Sequence, residues 1–168
     1  MAVLLRDLVA AGATVATAES LTGGLVCAAL TDVPGSSAAV RGGVVAYATD
    51  AKAAVLGGDA EVLRQHGAVS EAVAAAMATA ARERFGATFG VATTGVAGPD
   101  AQDGHPVGEV YVAVASGAAD VVVRRCMLAG DRAAIRQATV EAALELLATR
   151  LHALAAAEPS AATGEHPS

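Results

Sequence analysis

Aromatic side chains are nearly missing from this 168-residue sequence: Tyr47, Tyr111, Phe85 and Phe89 are all it has, and tryptophan is absent. The hydrophobic share of 54% must therefore come from alanine, valine and leucine. A core of such small side chains requires helices to approach the sheet closely. Cysteine is scarce, and Cys27 and Cys126 stand far apart. They suit buried thiols in a reducing cytosol better than a disulfide framework. His66, His105, His152 and His166 are scattered without ligand spacing, so no metal site is expected. No apolar run of about 18 residues is free of charges and glycines, so no transmembrane helix is expected. The N-terminus lacks a basic stretch leading into an apolar core and a small-residue cleavage site, which points to a cytoplasmic protein. Positive charge is in deficit, and a net charge of -6 argues against a nucleic-acid binder, which needs a basic stripe.

The sharpest shortage is lysine. Ten of the eleven basic residues are arginine, and Lys52 is the single lysine. Arginine stays protonated, whereas a desolvated lysine can lose its proton and act as a base. Lys52 is either an ordinary exposed lysine or a base in a site, and its own position leaves both open.

The elements follow from periodicity and punctuation. Leu4, Leu5, Leu8 and Val9 have helical spacing, with Gly12 as the stop. Thr14 to Ala18 reads as the first strand, and Gly24 to about Leu30 as a helix ended by the turn Asp32-Val33-Pro34-Gly35. Gly42 to Ala48 reads as a second strand buried on both faces, leading to a short helix capped by Thr49 or Asp50. Gly57-Gly58 should break that helix, and Asp59 should open another that stops at His66-Gly67. Ser70 caps a longer helix with Val73, Met77 and Ala81 on one face and Gly86 at its end. Thr88 to Thr93 is the third strand, Glu109 to Ala115 the fourth and Asp120 to Leu128 the fifth, the last two joined by a hairpin at residues 116–119. Asp131 opens a final helix with an apolar stripe at Val140, Leu144, Leu147, Leu151 and Leu154. The polar remainder, 158–168, reads as a disordered tail. Residues 1–157 thus form one α/β domain, with parallel pairing among the first three strands and an antiparallel hairpin that makes the sheet mixed.

Ligands of open α/β sheets bind beyond the carboxyl ends of the strands. Three loops leave such ends. The first holds Glu19, Ser20, Thr22, Gly23 and Gly24, the second Tyr47 and Lys52, the third Thr94, Gly95 and Gly98. Ser20 is either a nucleophile beside bare N–H groups at a helix start or, like Thr22, a helix cap. A nucleophilic serine needs a base, and the first two loops offer no histidine, so Lys52 is the candidate, with Tyr47 relaying the proton or holding the lysine. Arg132 and Arg136 fall in the first two turns of the last helix, where the macrodipole disfavours positive charge. They either hold an anion together or face solvent beside Asp131.

The ordered motifs Ala18-Glu19-Ser20-Leu21-Thr22-Gly23-Gly24, Gly35-Ser36-Ser37, Tyr47 with Lys52, Gly67-Ala68-Val69-Ser70, Thr94-Gly95-Val96-Ala97-Gly98-Pro99, Pro106-Val107-Gly108 and Gly130-Asp131-Arg132 resemble the CinA C-terminal domain family. The resemblance runs from about Leu4 to Leu154. Members of this family are nicotinamide mononucleotide deamidases, also called competence/damage-inducible proteins. The resemblance implies a three-layer α/β/α sandwich with a mixed, mostly parallel five-stranded sheet. It implies hydrolysis of the carboxamide of nicotinamide mononucleotide to the nicotinate nucleotide and ammonia, without a cofactor, by a Ser20–Tyr47–Lys52 set. Glu19, Thr22, Gly23, Gly24, Thr94, Gly95 and Arg132 are then expected to bind substrate, with Arg132 on its phosphate. The sequence departs from the family pattern at Leu21, where many relatives have cysteine, and in the loop Asp100-Ala101-Gln102-Asp103-Gly104-His105, where they often have Asp-Gly-Gly and a lysine before Pro-Val-Gly. Two rival readings are a non-catalytic nucleotide-binding module and a DNA-acting competence factor. The acidic charge disfavours the second. Exposed alanine-rich helices suit a homodimer, and no nucleic-acid or membrane partner is expected.

Overall fold

The computed structural model describes residues 1–56, 61–117 and 119–157. In chain order its elements are α1 (Ala2–Ala10), β1 (Val15–Glu19), α2 (Leu25–Thr31), a 3-10 turn (Ser36–Ala38), β2 (Val40–Val45), α3 (Thr49–Val55), α4 (Glu61–His66), α5 (Glu71–Phe85), β3 (Phe89–Gly95), β4 (Glu109–Ala115), β5 (Val121–Met127) and α6 (Arg132–Ala157). The expected break at Gly57-Gly58, the helix start at Asp59, the hairpin residue Ala118 and the 158–168 tail lie outside the described residues.

The five strands form one sheet in the order β2-β1-β3-β4-β5. β1 pairs in parallel with both β2 and β3, while β3–β4 and β4–β5 are antiparallel. Four strands therefore point one way and β4 alone runs back, the mixed sheet expected.

Alternation along each strand builds two different faces. One carries Val15, Phe89, Val91, Val112 and Val114, packed against α1, α2 and α6 through Leu8, Leu30 and Leu147. The other is paved with Ala16, Ala18, Ala92, Ala113 and Ala115 and meets α5 through Val73, Ala74, Met77, Ala78 and Ala81. A Cβ at Gly90 would collide with the Ala78 carbonyl oxygen, so α5 lies as close to the sheet as the scarcity of large side chains requires. This is the three-layer α/β/α arrangement.

Several local expectations need correction. β2 is the edge of the sheet, and its burial alternates between half-buried and exposed instead of being complete on both faces. A strand paired on one side with only part of the helical layer over it cannot be fully covered. It also starts earlier than expected and ends at Val45. Neither Thr49 nor Asp50 caps α3: the cap position is Ala48, and both residues lie inside the first turn. In α1 Val9 is exposed, and in α6 Leu154 is exposed, whereas the rest of each stripe is buried. Ser70 does cap α5, accepting the Val73 N–H at 3.3 Å, and Gly86 ends it in the left-handed conformation.

Candidate active site

The first loop is a tight reversal between β1 and α2. The Ser20 N–H donates to the Thr93 carbonyl of β3 (3.0 Å), and the Gly23 N–H donates back to the Ser20 carbonyl (3.0 Å). Gly23 and Gly24 have φ of 61° and 96°, a region that glycine enters without strain. No side chain at the cap position serves α2. Glu19 does so instead. Its carboxylate, 1% exposed, accepts the N–H groups of Gly24 (3.0 Å), Val26 (3.0 Å) and Cys27 (2.8 Å), and the hydroxyls of Thr22 (2.7 Å) and Thr17 (3.3 Å). A buried carboxylate is tolerable here because it is saturated with donors at a helix N-terminus. The Thr22 hydroxyl also meets Thr93 Oγ1 at 2.7 Å.

With Glu19 doing the capping, the Ser20 hydroxyl is left without a hydrogen-bond partner among the described residues, on the wall of a pocket. The same pocket is lined by Tyr47, Lys52, Thr94, Gly95 and Arg132. The three loops do converge, as the strand-end rule requires. Glu19, Thr22, Gly23 and Gly24 are not part of the lining: they build the turn from behind. Leu21, Ala68, Val69, Val96, Ala97, Gly98, Asp100 and Gln102 complete the wall, Ala68 and Val69 coming from the Gly67-Ala68-Val69-Ser70 motif. The Thr94 hydroxyl donates to the Ala68 carbonyl at 2.7 Å and so ties that wall to β3.

Lys52 is 4% exposed. Its Nζ donates to the backbone carbonyl of Tyr47 at 3.3 Å, and no carboxylate among the described residues lies within ion-pair distance. Burial pushes its pKa below the ordinary lysine value. The Tyr47 hydroxyl is not on the lysine: it takes a hydrogen bond from the Arg132 guanidinium, whose other end donates to the Gly98 carbonyl at 2.8 Å. Tyr47 is 55% exposed, so this pair sits at the pocket mouth.

Arg132 and Arg136 do not act together. Arg136 turns to the first loop, donating Nε to the Leu21 carbonyl (2.9 Å) and Nη2 to the Thr22 carbonyl (2.8 Å). Asp131 caps α6 through the Ala134 N–H (2.9 Å) and forms no ion pair with either arginine. Around Ser20, the N–H groups of Leu21 and Thr22 have no acceptor among the described residues, whereas that of Gly23 is committed to the turn. The N–H groups of Ala97 and Gly98, both on the pocket wall, are likewise unpaired.

His105 does not line the pocket. Its Nδ1 meets the Glu109 carboxylate at 3.0 Å, which also accepts Tyr111 Oη (2.9 Å) and Arg125 Nε (2.9 Å). Burial alone would raise the Glu109 pKa, but the bonds from His105 and Tyr111 and the Arg125 charge outweigh it and bring it down. The cluster anchors the loop that carries Asp100 and Gln102. Cys27 and Cys126 are half-buried free thiols.

A family profile described as the CinA C-terminal domain matches residues 1–151. A CinA-like protein of Frankia casuarinae is 52% identical over 152 residues, covering 90% of this chain and 35% of that protein. One from Mycolicibacterium gilvum is 51% identical over 138 residues, covering 82% of this chain and 33% of its own length. The chain thus spans about a third of the length of the curated relatives it matches. Among solved structures, a competence/damage inducible protein from Agrobacterium tumefaciens superposes with a TM-score of 0.83 at 42% identity, covering 89% of this chain and 91% of that one. A competence-damaged protein (CinA) superfamily protein from Klebsiella pneumoniae gives a TM-score of 0.86 at 35% identity, covering 90% and 95%.

Proposed function

Because the chain belongs to the CinA C-terminal domain family, we propose that it is an amidohydrolase that converts the carboxamide of nicotinamide mononucleotide to the carboxylate, releasing ammonia. One observation carries this reading: a buried lysine without a counterion among the described residues shares a pocket with a serine whose hydroxyl has no partner among them. Such a lysine can be a neutral base near neutral pH, which an exposed one cannot.

In the proposed reaction neutral Lys52 takes the Ser20 proton as Oγ bonds to the carboxamide carbon. The negative charge that develops on the amide oxygen is met by the unpaired N–H group of Leu21 on the pocket wall. Collapse breaks the C–N bond, and the Lys52 ammonium hands its proton to the leaving nitrogen, which departs as ammonia. Water then attacks the ester carbon, giving its proton to Lys52, and the proton returns to Ser20 Oγ as the nicotinate nucleotide leaves. Lys52 acts directly, because the Tyr47 hydroxyl is engaged by Arg132. Arg132, exposed at the mouth, is the ligand for the substrate phosphate. The scheme uses no metal or organic cofactor. The partner is the small nucleotide, with no nucleic acid or membrane involved.

The test is ammonia release from nicotinamide mononucleotide by wild type and Ser20→Ala. Release by the first and not the second is the expected result. Binding without release by either would favour the nucleotide-binding module instead.

A further inference from the structure

Arg136 is the basic residue of the site that the proposed chemistry leaves unused. We infer that Arg136 is a positioning residue for the reaction: it fixes the Leu21–Thr22 turn, which carries the Ser20 hydroxyl and the Leu21 N–H on the pocket wall. This rests on the reading of Ser20 as the nucleophile.

The geometry is specific. One guanidinium donates to two successive carbonyls, those of Leu21 (2.9 Å) and Thr22 (2.8 Å), directly after Ser20. In a planar trans peptide the C=O and the following N–H point in opposite directions. Holding the Thr22 carbonyl therefore turns the Gly23 N–H away from Arg136, and that N–H is found on the Ser20 carbonyl at 3.0 Å. Thr22 itself is fully buried behind the wall, whereas Leu21 lines the pocket and its N–H has no acceptor among the described residues, so fixing the turn fixes that donor beside Ser20. A free, oriented donor next to a nucleophile is what a developing oxyanion requires.

Charge and space point the same way. No carboxylate among the described residues pairs with Arg136, so its charge falls on the turn undiminished. A charged donor on a carbonyl is stronger than a neutral one, so the guanidinium holds the turn more firmly than a neutral side chain would. Gly23 leaves room for it: a Cβ there would stand 3.3 Å from Arg136 Nη2. The residue also occupies the second turn of α6, where the macrodipole disfavours a cation, so helix stability does not explain it.

The experiment uses the full chain as wild type, Arg136→Lys and Arg136→Ala, with two substrates. Nicotinamide mononucleotide reports amide turnover, and p-nitrophenyl acetate reports acylation of Ser20 through the same kind of oxyanion. We expect Arg136→Ala to lower kcat on the nucleotide by about 10²-fold with KM within about twofold, and to slow acylation in proportion. Arg136→Lys, which keeps one charged donor, should lose less. Free guanidinium ion should restore part of the Arg136→Ala rate and none of that of Ser20→Ala. A raised KM with kcat retained would place Arg136 on the substrate and overturn the inference. So would unchanged rates, or a loss that tracks thermal stability and ignores guanidinium. If Arg136→Ala does not fold, the kcat-against-KM split of Arg136→Lys decides. A wild type that is acylated by the ester but leaves the nucleotide intact would refute the amide reading alone, with the ester arm still deciding on Arg136. A wild type inert to both would overturn both.

Discussion

Burying a lysine without a carboxylate destabilises a fold at neutral pH, and among the described residues Lys52 has only the Tyr47 carbonyl as partner. Its folded pKa is depressed below that of the unfolded chain, about 10.4. Between those two values the unfolded state binds the proton more readily, so stability should rise with pH through that window. Lys52→Met should therefore abolish turnover, raise the melting temperature at pH 7 by a few degrees (about 1 kcal/mol for a chain of this size) and flatten the climb at higher pH. Thermal melts from pH 6 to 10 beside activity assays check this. Arg132→Ala should act differently, raising KM for the nucleotide about tenfold or more while leaving kcat for p-nitrophenyl acetate unchanged, since it stands at the mouth and not beside Ser20. At this scale the sequence was informative where a residue type was rare. The single lysine pointed to Lys52, and a serine after a strand pointed to Ser20. Glu19, which the family resemblance put among the substrate ligands, stands instead as the cap of α2. The signal missed was the lack of any capping side chain at Gly24, which leaves a helix start needing a carboxylate from elsewhere.

That need links the residue to its element. Glu19 collects three backbone N–H groups and two hydroxyls, and with them fixes where α2 begins and how the Ser20 turn is bent. Glu19→Gln should destabilise the protein by about 1.5–3 kcal/mol in urea unfolding and lower kcat without touching the pocket wall. On β4, Glu109 plays a comparable part for the third loop. Its folded pKa lies below the unfolded value of about 4.3, so its contribution to stability is present above that value and is lost as pH falls through the folded one. Glu109→Gln should destabilise the protein at pH 7 and shift its acid unfolding less between pH 5 and 3 than wild type, which a pH series of melts will show. Strand and helix identities were legible from periodicity, as for Glu109–Ala115 and the α5 cap at Ser70. The exposure of β2 was not, because an apolar run cannot tell an edge strand from a central one until the strand order is known. The division of labour between Arg132 and Arg136 was hidden for a related reason. One helical turn separates them in sequence, but which loops they meet depends on how α6 packs over the sheet.

For the molecule as a whole, the matched stretch 1–151 contains the entire pocket lining. The 168-residue chain should therefore turn over the nucleotide by itself, although it matches only about a third of the length of its curated relatives. Ammonia release from the isolated chain tests this. No described helix is long and apolar enough to cross a membrane. The mixed sheet and its layers were legible from helices alternating with strands and a terminal hairpin, and the scarcity of aromatics correctly implied close helix–sheet contact. That contact reaches the pocket. The alanines of the sheet set how far away α5 stands, and the pocket wall at Ala68 and Val69 immediately precedes the start of α5. The methyl groups thus work as a shim. Thickening it at Ala92, which faces α5 and takes no part in the lining, would lever the helix outward and shift the wall opposite Ser20. The aperture of the site is gauged by side chains that never meet the substrate.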